Sequence, residues 1–130
     1  MRYAMTAMAV IVFAANLACA ADEKKNIPAG LPGDAKWDMS ELERSWVIVK
    51  SSYDPDTREV SWVLEAKTEA GRPNWYFKFY DADDVKLERS FLEFKPDSGI
   101  VKGQRVHGTL KLPKVAIIKE AKKAVCTSQG

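Results

Sequence analysis

Apolar and polar side chains alternate along much of this 130-residue chain, and a period of two marks strands with one buried face. The clearest run places Val60, Trp62, Leu64 and Ala66 between Glu59, Ser61, Glu65 and Lys67, with Val63 as the one apolar exception. A β-branched and aromatic run, Trp46-Val47-Ile48-Val49, precedes it. Between the two, Tyr53-Asp54-Pro55-Asp56-Thr57 is rich in turn formers, and Pro55 presets φ for a turn, so the pair predicts a hairpin. Beyond the breaker Ala70-Gly71-Arg72-Pro73-Asn74, one strand face carries Trp75, Phe77 and Phe79 and the other Tyr76, Lys78 and Tyr80. The acidic turn Asp81-Ala82-Asp83-Asp84 then leads into Val85 to Phe94, where the phase slips. Val85 and Leu87 point one way and Leu92 and Phe94 the other, which a bulge or strand switch near Arg89-Ser90 reconciles.

Turns at Pro96-Asp97-Ser98-Gly99 and Lys102-Gly103 precede another alternation, Val106, Gly108, Leu110 and Leu112 against Arg105, His107, Thr109 and Lys111. A turn of helix over Val115 to Ala121 and a short strand over Lys122 to Thr127 complete the pattern. Short strands separated by turn signals at this spacing predict an all-β sandwich of about six to seven strands.

The first residues follow a different rule. Arg2 precedes the nearly unbroken apolar run Ala4 to Leu17, and Ala18-Cys19-Ala20 supplies a small-x-small cleavage pattern before Ala21. This is the layout of a secretory signal peptide, too short for the ~18–20 residues of a stable membrane span. Ala21 to Lys36 contains Pro28, Gly30, Pro32 and Gly33, with only Ile27 and Leu31 as larger apolar residues, and reads as a flexible tether. Trp37 to Arg44 is either a short helical turn or a lead into the first strand. The expected organisation is therefore a signal peptide over 1–20, a tether over 21–44 and a sandwich domain over 45–128. Cys19 opens an alternative, since Ala18 before a cysteine fits a bacterial lipoprotein site while Asn16 stands where that site has Leu, and acylation there would hold the domain on a membrane.

Composition narrows the class. The chain carries 20 basic and 18 acidic side chains, and loss of Arg2 with the leader brings it nearer neutrality, which argues against a nucleic-acid binder. The lysines at 111, 114, 119, 122 and 123 read as a solvated face. Cys126 is the only cysteine after the leader, so no intramolecular disulfide forms in the cleaved chain. It reads as a buried small apolar residue in a monomer, with pairing between chains as the alternative.

Phe77-Lys78-Phe79-Tyr80-Asp81 resembles the signature of the FxLyD-like domains of bacteria, with Phe79 where that pattern has Leu. The acidic turn after it, and Gly103-Gln104 before a strand ending in Leu112-Pro113, resemble the same domains from Trp46 to Thr127. Asp84-Val85 stands where the family often has Gly. The resemblance implies an immunoglobulin- or fibronectin-like sandwich on exported proteins and carries over no catalytic residue.

No cofactor is expected, and no catalytic constellation is legible. His107, the only histidine, falls on an outward strand position with no recognisable nucleophile beside it. Asp81, Asp83 and Asp84 are weak calcium candidates, because an acidic turn without the spaced Gly and terminal Glu gives too few oxygens. Tyr53, Tyr76 and Tyr80 are the candidate ligand-binding surface, suited to stacking on sugar rings. The expectation is an exported, noncatalytic interaction or accessory module of the bacterial envelope, periplasmic or secreted. Its partner would be an envelope protein or polysaccharide, not nucleic acid, and a membrane only through Cys19. The alternatives are a structural lipoprotein and a carbohydrate-binding sandwich. Intact-mass analysis of the mature protein is expected to give an unmodified chain beginning at Ala21; a chain beginning at acylated Cys19 would make it a tethered lipoprotein.

Overall fold

Burial follows the alternation. The computed structural model describes residues 26–129; the expected signal peptide, with Ala18, Cys19, Ala20 and Ala21, lies outside the described residues. The strands are β1 (Lys36–Asp38), β2 (Trp46–Asp54), β3 (Glu59–Ala66), β4 (Trp75–Tyr80), β5 (Lys86–Lys95), β6 (Arg105–Lys111) and β7 (Lys123–Thr127). Two short helices, α1 (Ser40–Ser45) and α2 (Val115–Glu120), interrupt them. On β3 and β4 every second residue is buried, which gives Val60, Trp62, Leu64, Ala66, Trp75, Phe77 and Phe79 to the core.

All these strands join one mixed sheet in the order β1-β7-β4-β5-β6-β3-β2, antiparallel except for the β1–β7 pair. The sheet curls over its own inner face. Trp62 on β3 and Phe77 on β4 stack with ring centroids 5.3 Å apart, although two strands lie between them in the sheet order. A flat sheet would separate those strands by about 14 Å. Trp46 on β2 meets Phe94 on β5 at 5.2 Å, again across two intervening strands. Each large side chain sealed in this way contributes about 1.5–3 kcal/mol relative to exposure. Gly108 sits at the closest approach, where an added Cβ would lie 3.3 Å from both Leu64 and Leu92.

The irregularity anticipated at Arg89-Ser90 is present in two parts, neither of them there. The β4–β5 register shifts between Phe79, opposite Glu88, and Tyr80, opposite Lys86, so Leu87 is the extra residue. The turn explains the offset. The Asp81 carboxylate accepts the amides of Asp83 and Val85, each at 2.9 Å, and Asp84 adopts φ 61°, the left-handed conformation that a glycine would supply. The second part is a change of partner: β5 pairs with β4 from Lys86 to Leu92 and with β6 from Leu92 to Lys95.

The stretch expected to be a flexible tether is part of the fold from Asn26 onward. Trp62 Nε1 donates to the Asn26 carbonyl at 2.9 Å, and Ile27, Leu31, Ala35 and Trp37 pack against the core. Trp37 on β1 sets its ring edge-on to Phe77 and Phe79, at 5.5 and 5.8 Å. Met39 and Leu42 are buried, and β1 runs beside β7. Glycine and proline here shape turns, while few but well-placed large side chains supply the burial.

Acidic groups fasten the N-terminal end of α1. Asp38 accepts the Ser40 hydroxyl and amide, which hold its carboxyl below the ordinary carboxylate range. Hydrogen bonds from Thr127 and then Ser128 do the same for Glu41. The folded unit therefore begins well before residue 45. Truncation to a chain starting at Ser45 removes Trp37, Met39 and Leu42 and is expected to cost at least about 3 kcal/mol in urea unfolding. Equal stability of the truncated chain would restore the tether.

Candidate functional site

The outer face of β4 and β5 gathers the surface aromatics. Because β4 buries Trp75, Phe77 and Phe79, its alternation turns Tyr76, Lys78 and Tyr80 outward. The ladder then fixes their neighbours: Phe91 stands opposite Tyr76 and Arg89 opposite Lys78, while Thr127, Val125 and Lys123 of β7 flank the other side. Phe91 is 48% exposed and meets Tyr76 edge-on at 5.5 Å. The Arg89 guanidinium lies 4.7 Å above the Tyr76 ring, and Lys123 lies 5.0 Å from the Tyr80 ring. Each tyrosine thus holds a cation over its negative π-face.

A groove of about 550 Å³ opens beside this cluster, where the first part of β5 diverges from β6. Arg89 and Phe91 belong to both features. The groove itself is mixed in charge, with Glu59, Glu88 and Glu93 against Arg89, Lys111 and Lys114.

The three sequence-predicted tyrosines divide. Tyr76 and Tyr80 share the β4 face, about 13 Å apart along the strand. Tyr53 is on β2, packed against the core and bordering a separate apolar hollow with Pro32 and Ile118. Phe91, Arg89 and Lys78 were missed as site residues. The signal for them was Phe91, an aromatic out of phase with Leu92 and Phe94, but its pairing with Tyr76 depends on the bulge at Leu87.

The acidic turn serves its own backbone. Asp81 caps the amides already named, and Asp84 pairs with Lys123 at 3.2 Å. Among the described residues, no group of three His, Cys, Asp or Glu side chains is placed to hold a metal ion. His107 is exposed on β6, opposite Val63 and Lys95. No helix among the described residues is long and apolar enough to cross a membrane.

Cys126 is fully buried on β7, opposite Phe77. Burial pushes its thiol well above the ordinary range, and the Glu41 and Asp38 carboxylates push the same way. Comparison of the chain with protein-family models, with curated proteins and with solved structures finds no match. A thiol so placed is a packing group. Chromogenic disulfide titration of the chain without residues 1–20 is expected to show no reaction at pH 8 until denaturant is added. Prompt labelling of the native protein would contradict burial.

Proposed function

We propose that this chain is an exported, noncatalytic recognition module of the bacterial envelope, built on an immunoglobulin-like sandwich. The strand order supports the fold part of the reading. With β2 taken as the first strand, β2-β3-β6-β5 follows the A-B-E-D order of an immunoglobulin domain, and β4-β7 its C-F pair. The change of partner at Leu92 supports it too, because strands that switch sheets form the corners of sandwiches. The same architecture is what the FxLyD-like resemblance implies. The leader-like first 20 residues support export.

The single observation that carries recognition is the exposed Phe91, Tyr76 and Arg89 cluster on the rim of the groove. A large apolar ring left half-exposed on a sheet is normal by itself; one packed into an aromatic–guanidinium cluster beside a concavity has the composition of a binding hot spot. Rigid mounting suits the role, since the opposite face of the same strand is the core. The partner is a polysaccharide or protein of the envelope, met by the outer face of β4 and β5.

Affinity electrophoresis through gels carrying envelope polysaccharide or envelope protein tests this reading. Wild-type chain is expected to be retarded, and Tyr76→Ala/Phe91→Ala to lose about tenfold in affinity while keeping a cooperative melt. Equal retardation of a folded double variant would move recognition to another surface.

A further inference from the structure

The two outer faces of the sheet differ in charge. On the β2–β3–β6 side, acids and bases are interspersed, and Glu65 pairs with Arg105 at 3.4 Å. On the β1–β7–β4–β5 side, the ladders align Lys36 with Lys123, Lys123 with Tyr80, Tyr80 with Lys86, and Lys78 with Arg89. Two acids on that side are already engaged: Asp38 accepts from Ser40, and Asp84 holds Lys123. Glu41 is engaged as well, accepting from Thr127 at the β7 margin of the face, and Glu93 lies one position along the face from Phe91. Among the described residues, no carboxylate forms an ion pair with Lys36, Lys78, Lys86 or Arg89.

The Lys78–Arg89 pair is the telling feature. Like charges directly opposite on neighbouring strands are unfavourable, and evolution usually sets an opposite charge there. Here the repulsion is left uncompensated, and the guanidinium is positioned by the Tyr76 ring rather than by an acid. A guanidinium backed by an aromatic ring and without a carboxylate ion-pair partner among the described residues suits a carboxylate or phosphate oxygen pair.

Resting on the recognition reading above, we propose that the outer face of β4 and β5 binds an anionic polysaccharide, with acid groups on Arg89, Lys78 and Lys86 and a sugar ring against Phe91. The chemistry of the face selects this occupant. Strands present a flat surface on which a linear polymer crosses several cations, and the exposed Phe91 ring accepts the apolar C–H side of a sugar. Single-stranded nucleic acid needs open aromatic faces for its bases, whereas Arg89 and Lys123 already cover Tyr76 and Tyr80. A lipid surface needs a protruding apolar element, and among the described residues Phe91 is the only strongly exposed aromatic on this face. The groove, with its three glutamates, is excluded as the path of the acid groups.

The test is affinity electrophoresis of the chain from residue 21 in gels containing polygalacturonate, its carboxyl-reduced neutral form, or single-stranded DNA of matched charge density. Wild type is expected to be retarded most by polygalacturonate, with about a tenfold loss on carboxyl reduction and further loss with added salt. Lys78→Gln/Arg89→Gln is expected to lose about tenfold with little change in melting temperature, because the repulsion it removes offsets the lost Arg89–Tyr76 contact. Lys50→Gln/Lys102→Gln, the same change in net charge elsewhere, is expected to retain binding. Equal retardation by the neutral polymer, or an unaffected Lys78→Gln/Arg89→Gln protein, overturns the anionic specificity. If Tyr76→Ala/Phe91→Ala still abolishes binding in that case, recognition by this face stands without it. Tighter binding to DNA overturns the glycan assignment. No retardation by any of the three polymers overturns it as well, and an envelope protein gel then decides whether the face recognises anything.

Discussion

Leu92 is paired to both of its neighbours, opposite Trp75 on β4 and Leu110 on β6, and the shape of the molecule depends on that double pairing. Before it, β5 pairs with β4, which β7 flanks; after it, β5 pairs with β6, which leads on to β3 and β2. One strand that changes partner part-way lets the sheet curl over a single core, and the Trp62–Phe77 stack is the contact that closes it. The same crossing leaves the first part of β5 without β6 beside it, which opens the groove next to Arg89 and Phe91. Core closure and the candidate binding face are therefore two consequences of one pairing geometry. A change at Leu92 would act on both, through a cavity of the kind that costs about 2–5 kcal/mol when a buried leucine is cut back to alanine.

The edge strands needed a solution of their own, because a sheet that curls without closing leaves unpaired backbone at both ends. At one end the parallel β1–β7 pair and the ring of Trp37 cover the aromatic core. α1 then carries the chain from β1 directly to β2 at the opposite end, with Leu42 buried beneath it. Residues 36–45 thus span the mouth of the curl, and their few apolar side chains are placed where the sheet cannot seal itself. The hydrogen bonds that hold Asp38 and Glu41 in their charged forms work in the same region, so their contribution is present above the ordinary carboxylate range and fades as pH falls below it.

Much of the core was legible because alternation is a local property. Val60, Trp62, Leu64, Trp75, Phe77 and Phe79 can be assigned to the inside from sequence spacing alone. Cys126 could be placed there by residue type. The N-terminal segment was misread because proline and glycine content reports local stiffness and turns, whereas the packing of Trp37 depends on Phe77 and Phe79 of a strand far along the sequence. The candidate face was half legible. Tyr76 and Tyr80 follow from the phase of β4, but Arg89 and Phe91 become their neighbours only through a register set by the Asp81 turn and the Leu87 bulge. Tyr53 failed for the opposite reason: a bulge between Ile48 and Lys50 shifts the phase of β2 and turns that ring against the core.

The strict alternation on β4 also separates stability from recognition at the level of single residues. Phe77 and Phe79 hold the core, while Tyr76, Lys78 and Tyr80, their immediate neighbours in sequence, lie outside it and are half-buried on the outer face. Such positions are free to carry an arrangement that is unfavourable for the isolated protein. The Lys78–Arg89 juxtaposition costs roughly 0.2–1 kcal/mol against a neutral pair, and on a surface without a task an opposite charge would relieve it at no structural expense. A cost of that kind persists most readily where a bound anion offsets it. In the proposed complex the repulsion of the free protein would add to the binding energy, because a ligand that neutralises the pair would gain both its own contacts and the relief of the charges beneath it.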